Sequence, residues 1–300
     1  MLDRASTFAD PDIVKMLQDE FVAVAIDQAY QRRQQDAEGE FYRQIVRQSP
    51  RNNFENTTQG FYVATATGEL LLFNNNRDPQ KLRDLLRRKL AEFKRSAAAS
   101  ATVGALEADK LDARFNPRPP EGGLVVRVRA KVLDGYEPTE DAFKSIFQTA
   151  LSRDNLWISK AEHEAMVRGS IPDALQKRIA QFHLVDNTRG EPPMWTPEEI
   201  RHLEMQLRGD QLRGSVRLAT ADGKRGFDAE MYGEIQVEGT TVRRWDLIVR
   251  GEFWGEGPFT RGAPAGRFPL AIAFSLADGS DTADAIPPQA SRGWLQGYLR

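Results

Sequence analysis

The chain has 300 residues, enough for two domains of ordinary size that each bury a core. It is 40% hydrophobic and 28% charged, with 41 basic against 43 acidic residues and a formal net charge of -2. That balance lacks the basic excess of a nucleic-acid binder. The absence of cysteine excludes disulfides, thiolate metal sites and thiol redox catalysis, and no apolar run reaches the ~18–20 residues of a membrane span.

Asp10-Pro11 predicts a helix start, with Asp10 as N-cap and Pro11 at the first position, where its missing N–H costs nothing. Ile13, Val14, Leu17 and Phe21 then fall near helical spacing. FVAVAI (21–26) is short, apolar and β-branched, which predicts a strand buried on both faces of a sheet. Asp27 follows it, where open α/β sheets place ligands.

Residues 27–48 are polar, and Phe41, Ile45 and Val46 support a helix over the second half. Arg32, Arg33, Asp36, Glu38 and Glu40 crowd its approach. They read either as a cluster that binds a polar ligand or divalent cation, or as a solvated face with ion pairs worth a few tenths of a kcal/mol each.

GFYVAT (60–65) and ELLLF (69–73) flank Thr67-Gly68 and predict a hairpin. Asp78-Pro79 opens another helix, whose stripe of Leu82, Leu85, Leu86, Leu90 and Phe93 should pack on that hairpin. The basic run Arg83, Arg87, Arg88, Lys89, Lys94 and Arg95 reads as its solvated face.

This order of helix, FVAVAID strand, helix, QGFYVATATGELL hairpin and Leu-rich helix resembles a thioredoxin-like domain over residues 1–95. The resemblance implies an α/β fold and no redox activity. Leu2 to Ser6 occupy the place of the family's Cys-x-x-Cys, and Thr58-Gln59 stand where it has a proline before the hairpin. The usual first strand has no counterpart. The whole chain also resembles a set of two-part proteins with such a front, a likeness that carries no activity.

Residues 96–120, rich in Ala, Ser, Pro and Gly, read as a linker, and 121–300 as an α+β domain. LVVRVRAKV (124–132) alternates as a strand with Arg127, Arg129 and Lys131 outward. A helical insertion spans 138–186, with helices over 139–150, 158–167 (Ser159 and Glu162 forming a capping box) and 172–186. From Arg201 the period becomes two, and the Asp222-Gly223 and Glu238-Gly239 turns join hairpins. In all, about six antiparallel strands predict a strongly twisted sheet or partly closed barrel.

The densest polar-aromatic stretch holds His183, Asp186, Asn187, Arg189, Glu191 and Trp195. It reads as a general base paired with a carboxylate, as a ligand-binding loop, or as a structural anchor. His163 begins a zinc-helix pattern that Val167 breaks. In 253–270, Trp254 and Phe259 either fold back on the core or, with Arg261 and Arg267, form a binding loop. Trp294 to Tyr298 read as a docked C-terminal arm.

The expectation is therefore a non-redox binding or scaffold protein, monomer or homodimer, with a protein or small-molecule partner, no cofactor, no nucleic acid and no membrane span. The alternative is a hydrolase or lyase near His183 and Asp186 at the domain junction. A third reading is an assembly subunit that buries Trp254, Phe259 and the arm. The compartment reads as cytoplasmic as written, and as periplasmic or secreted if a leader once preceded Met1.

Overall fold

The structure, a computed structural model, describes residues 6–96, 111–292 and 295–299. These divide into two compact units, 6–117 and 118 onward.

In the N-terminal unit, α1 (Pro11–Glu20) starts as predicted. Asp10 Oδ1 accepts the N–H groups of Asp12 and Ile13 at 3.0 Å each. Short α2 (Gln28–Gln31) and α3 (Ala37–Arg47) precede the hairpin β1 (Phe61–Ala64) and β2 (Leu70–Asn74). α4 (Pro79–Lys94) follows, capped by Asp78 from Lys81 N at 3.2 Å. Ile13, Leu82 and Leu86 are buried together, with Phe61, Val63 and Leu72 of the hairpin packed against them. The Leu-rich stripe thus meets the hairpin as expected.

Residues 21–26 depart from expectation. They form no strand, and Val22 and Val24 stand 93% and 75% exposed. The physical reason lies in pairing. The described sheet of this unit is the two-stranded hairpin alone, so FVAVAI has no neighbour to accept its backbone hydrogen bonds. Asp27 accordingly ends no strand; it caps α2 by accepting Ala29 N at 2.9 Å.

The C-terminal unit is built on one sheet. Its strands are β3 (Leu124–Val132), β4 (Asp154–Ile158), β5 (Ile200–Arg208), β6 (Gln211–Ala219), β7 (Gly226–Glu238), β8 (Thr241–Trp254) and β9 (Arg267–Leu276). They lie in the order β4-β3-β9-β8-β7-β6-β5, antiparallel throughout, and the sheet curls into a half-barrel. Alternation sets its inner face: Val126, Val128, Ala130 and Val132 of β3 are buried, as are Leu247 and Val249 of β8. At the Glu238–Thr241 turn Gly239 takes φ +60°, a left-handed conformation that disfavours a side chain.

Three helices come between β3 and β5: α5 (Ala142–Thr149), α6 (Lys160–Val167) and α7 (Asp173–His183). α6 carries the capping box, with Ser159 Oγ accepting Glu162 N and Glu162 Oε2 accepting Ser159 N at 2.9 Å. α7 buries Leu175, Ile179 and Ala180 and packs against both β4 and β5, the two edges of the half-barrel.

The insertion is not wholly helical. DNLWI (154–158) forms β4, because β3 offers it a complete edge, pairing Leu124 with Ile158 and Val128 with Asp154. Helix α7 also ends at His183 rather than 186. A final short helix, α8 (Leu295–Tyr298), buries Tyr298. Trp294, expected in the same arm, lies outside the described residues.

Candidate functional site

The outward face of the same strands is polar at many positions where the inward face is apolar, with Tyr232 and Ile248 as exposed exceptions. On β6, Val216 is buried between Ser215 and Arg217; on β7, Ala229 is buried between Asp228 and Glu230. Register then sets the neighbours. Ser215 pairs with Glu230 and Glu230 with Arg250, while Arg217 pairs with Asp228 and Asp228 with Glu252. His202 of β5 pairs with Arg217. Together with Arg201 these residues line a groove of about 550 Å³.

Some of this polarity is already spent. Asp228 Oδ2 accepts from Arg267 at 3.0 Å, and Arg217 Nε lies 3.8 Å from its other oxygen. His202 Nε2 is 3.0 Å from Ser215 Oγ. Among the described residues, no carboxylate holds the other nitrogen of His202, so the pair lacks the third group that orients a catalytic base. Arg201, Arg250, Glu230 and Glu252 make no ion pair or side-chain hydrogen bond among the described residues. The groove therefore offers two free guanidiniums beside two free carboxylates, a surface for a polar ligand that carries both signs of charge.

The stretch 182–195 comes together differently from the sequence expectation. His183 does not meet Asp186. It is buried, with Nε2 2.7 Å from Tyr298 Oη and Nδ1 3.3 Å from Asp154 Oδ2. Asp186 instead faces Arg189 at 2.6 Å, both buried, and its Oδ1 accepts Thr188 N at 3.1 Å and Thr188 Oγ1 at 2.6 Å.

Arg189 donates to Thr260 O at 3.0 Å and Tyr136 Oη at 2.8 Å, tying this loop to the β8–β9 connection. Burial raises the Tyr136 phenol despite that guanidinium. Asn187 is buried in the same turn. Trp195 donates Nε1–H to Leu184 O at 2.7 Å and lies 3.9 Å beneath the Arg225 guanidinium, whose own pKa burial pulls down. Asp186 and Arg189, turned inward and paired, tie this loop down ahead of β5, while Glu191 stays exposed.

Trp254 donates to Gly223 O at 2.9 Å and stacks under Arg267 at 3.8 Å. Its ring lies where a Cβ on Gly226 would sit, 2.1 Å from Cζ2, so glycine is required there. Phe259 does not fold back on the core: it is 75% exposed, because the loop is pinned by its neighbour Thr260, whose Oγ1 accepts Gly257 N at 2.8 Å. His163 accepts Val242 N at Nε2 (3.2 Å), with Nδ1 3.0 Å from Gly122 O, a structural placement.

In the N-terminal unit the members of the polar cluster are each held by neighbouring groups. Arg32 donates to Asn56 O. Asp36 caps α3 through Gly39 N at 2.9 Å and also accepts from Asp112 N and Gln34. Burial pushes the Asp36 carboxyl up, but those donors outweigh it and its pKa is lowered. Glu40 pairs with Arg47 at 2.6 Å and Arg43 at 3.0 Å, which lower its pKa in that order. Each of the three thus has a scaffolding partner. Comparison with known protein families, with curated proteins and with solved structures gives no match for this chain.

Proposed function

We propose that the chain is a non-catalytic binding protein whose ligand lies in the groove across β5 to β8. The observation that carries this reading is the juxtaposition of Arg201 and Arg250 with Glu230 and Glu252, all without ion-pair or side-chain hydrogen-bond partners among the described residues. Charged groups already held by protein partners favour scaffolding, as Arg32, Asp36 and Glu40 are held by Asn56 O, Gly39 N and Arg47. Free groups of both signs in one groove favour a mixed-charge ligand such as a peptide.

A titration with the dipeptide Glu-Arg, followed by the NMR signals of arginine Nε–H groups, tests this. The expected outcome is a saturable shift of Arg201 and Arg250 that the Arg250→Glu variant loses. Shifts confined to Arg217 and Arg267, or none, would remove the groove as the site.

For the N-terminal unit we infer a redox-inactive relative of thioredoxin-like domains. The β1–β2 hairpin followed by the Leu-rich α4 supports that reading; the exposed 21–26 segment does not.

A further inference from the structure

The C-terminal unit has a second cleft, of about 290 Å³, between the segment after β3, helix α5 and the β8–β9 connection. Tyr136 and Phe147 are its apolar walls, with ring centroids 6.3 Å apart and planes inclined by 35°. Glu137, Thr139, Lys144 and Gln148 supply its polar groups. It shares no residue with the outer groove.

Each wall is fixed from behind. Tyr136 Oη accepts from Arg189 at 2.8 Å, and buried Arg189 is itself held by Asp186 at 2.6 Å and Thr260 O at 3.0 Å. The Asp186–Arg189 pair therefore does more than anchor its own loop, since it also fixes a ring of the cleft. Phe147 packs so closely on Gly262 that a Cβ there would come within 2.8 Å of ring carbon Cε2. Gly262 in turn donates its N–H to Glu256 Oε2 at 2.8 Å, and Phe143 meets Phe147 edge-on at 5.6 Å. Aromatic walls set in place before a ligand arrives lower the cost of ordering on binding.

The charges of the cleft are held differently. Glu137 and Lys144 both line it, yet their side-chain charges make no ion pair and no hydrogen bond among the described residues. Gln148 Nε2 donates to the backbone oxygen of Glu137 at 3.0 Å, which fixes that residue and leaves its carboxylate free. The volume is near the ~300 Å³ at which small-ligand pockets begin, so the cleft suits one small molecule and not a length of peptide. An unpaired cation and an unpaired anion beside two aromatic rings match a ligand with a ring and both charges on a short stem.

We propose that this cleft binds a free aromatic α-amino acid, with its carboxylate on Lys144, its ammonium on Glu137 and its ring against Tyr136 and Phe147. The site does not rest on the groove reading.

An NMR titration of the full chain tests it with L-phenylalanine, with hydrocinnamate, which lacks the ammonium, and with phenethylamine, which lacks the carboxylate. Phenylalanine is expected to bind saturably and to shift the ring signals of Tyr136 and Phe147, and each truncated probe to bind about tenfold more weakly, the worth of one charged hydrogen bond. Glu137→Gln should weaken phenylalanine about tenfold without weakening hydrocinnamate. Lys144→Met should do the same without weakening phenethylamine. Both positions are exposed, so neither variant removes a packed side chain. Equal binding of phenylalanine and the two probes would show a cleft that reads only the ring, and would overturn the proposal. So would shifts that spare Tyr136 and Phe147, or no saturable binding of phenylalanine.

Discussion

The two units hold their apolar residues in opposite ways. In the C-terminal unit every β-branched run meets a neighbouring strand, and β7 and β8 stay paired from Gly226 to Trp254. Its interior takes up Trp157, Trp195, Trp245, Phe227 and Phe274. In the N-terminal unit the fully buried cluster is Ile13, Leu82 and Leu86, and Val22 and Val24 face solvent. A strand-like sequence becomes a strand only where an open edge receives its hydrogen bonds. β4 received one from β3; residues 21–26 did not.

The largest effect should come from the sheet interior. Trp245→Ala is expected to cost about 3–5 kcal/mol in urea unfolding, because the ring is fully buried. A cost below about 1 kcal/mol would mean that the half-barrel is loosely packed.

Next, Leu86→Ala should cost about 2–5 kcal/mol, but only for the N-terminal unit. All five tryptophans lie beyond residue 118, so tryptophan fluorescence should keep its midpoint while far-UV circular dichroism shows an earlier loss of helix. Coincident shifts in both signals would erase the contrast between the units.

Smaller still, Val24→Lys should change stability by no more than about 0.5 kcal/mol, as for an exposed site. A loss of several kcal/mol would restore the buried strand expected from the sequence.

Acid titration gives the subtlest effect. Arg114, 2.9 Å away, and the backbone N–H groups of Gln35 and Arg114 hold the Asp112 carboxyl down at about 2, against an ordinary 3.8. A value depressed in the folded state means that the stabilisation is complete above the ordinary value. It is lost as pH falls from 3.8 toward about 2. Asp112→Asn should therefore lower the stability of the N-terminal unit at neutral pH and flatten its acid limb, so that variant and native protein converge as pH falls toward about 2, as read by circular dichroism.

Local signals were the ones the chain spelled out. Asp10-Pro11, Asp78-Pro79 and the Ser159–Glu162 box each cap the helix they announce. Period-two alternation marks β3 and β5 to β9. β4 was hidden because its five residues run straight into the capping box of α6 and look like the approach to a helix.

The site was less readable for a related reason. His183, Asp186 and Arg189 are near one another in sequence, and composition does not tell a buried anchor from a cleft wall. His202, Arg217, Glu230 and Arg250 lie on four different strands, where each looks like a solvated residue until register brings them side by side.

Native mass spectrometry of untagged protein, purified without chelators, bears most directly on the groove as a binding site. The native chain is predicted to retain a small polar molecule or peptide that the Arg201→Glu, Arg250→Glu double variant releases, with folding unchanged. A bare mass for both proteins, or an adduct that survives the double variant, would contradict the assignment.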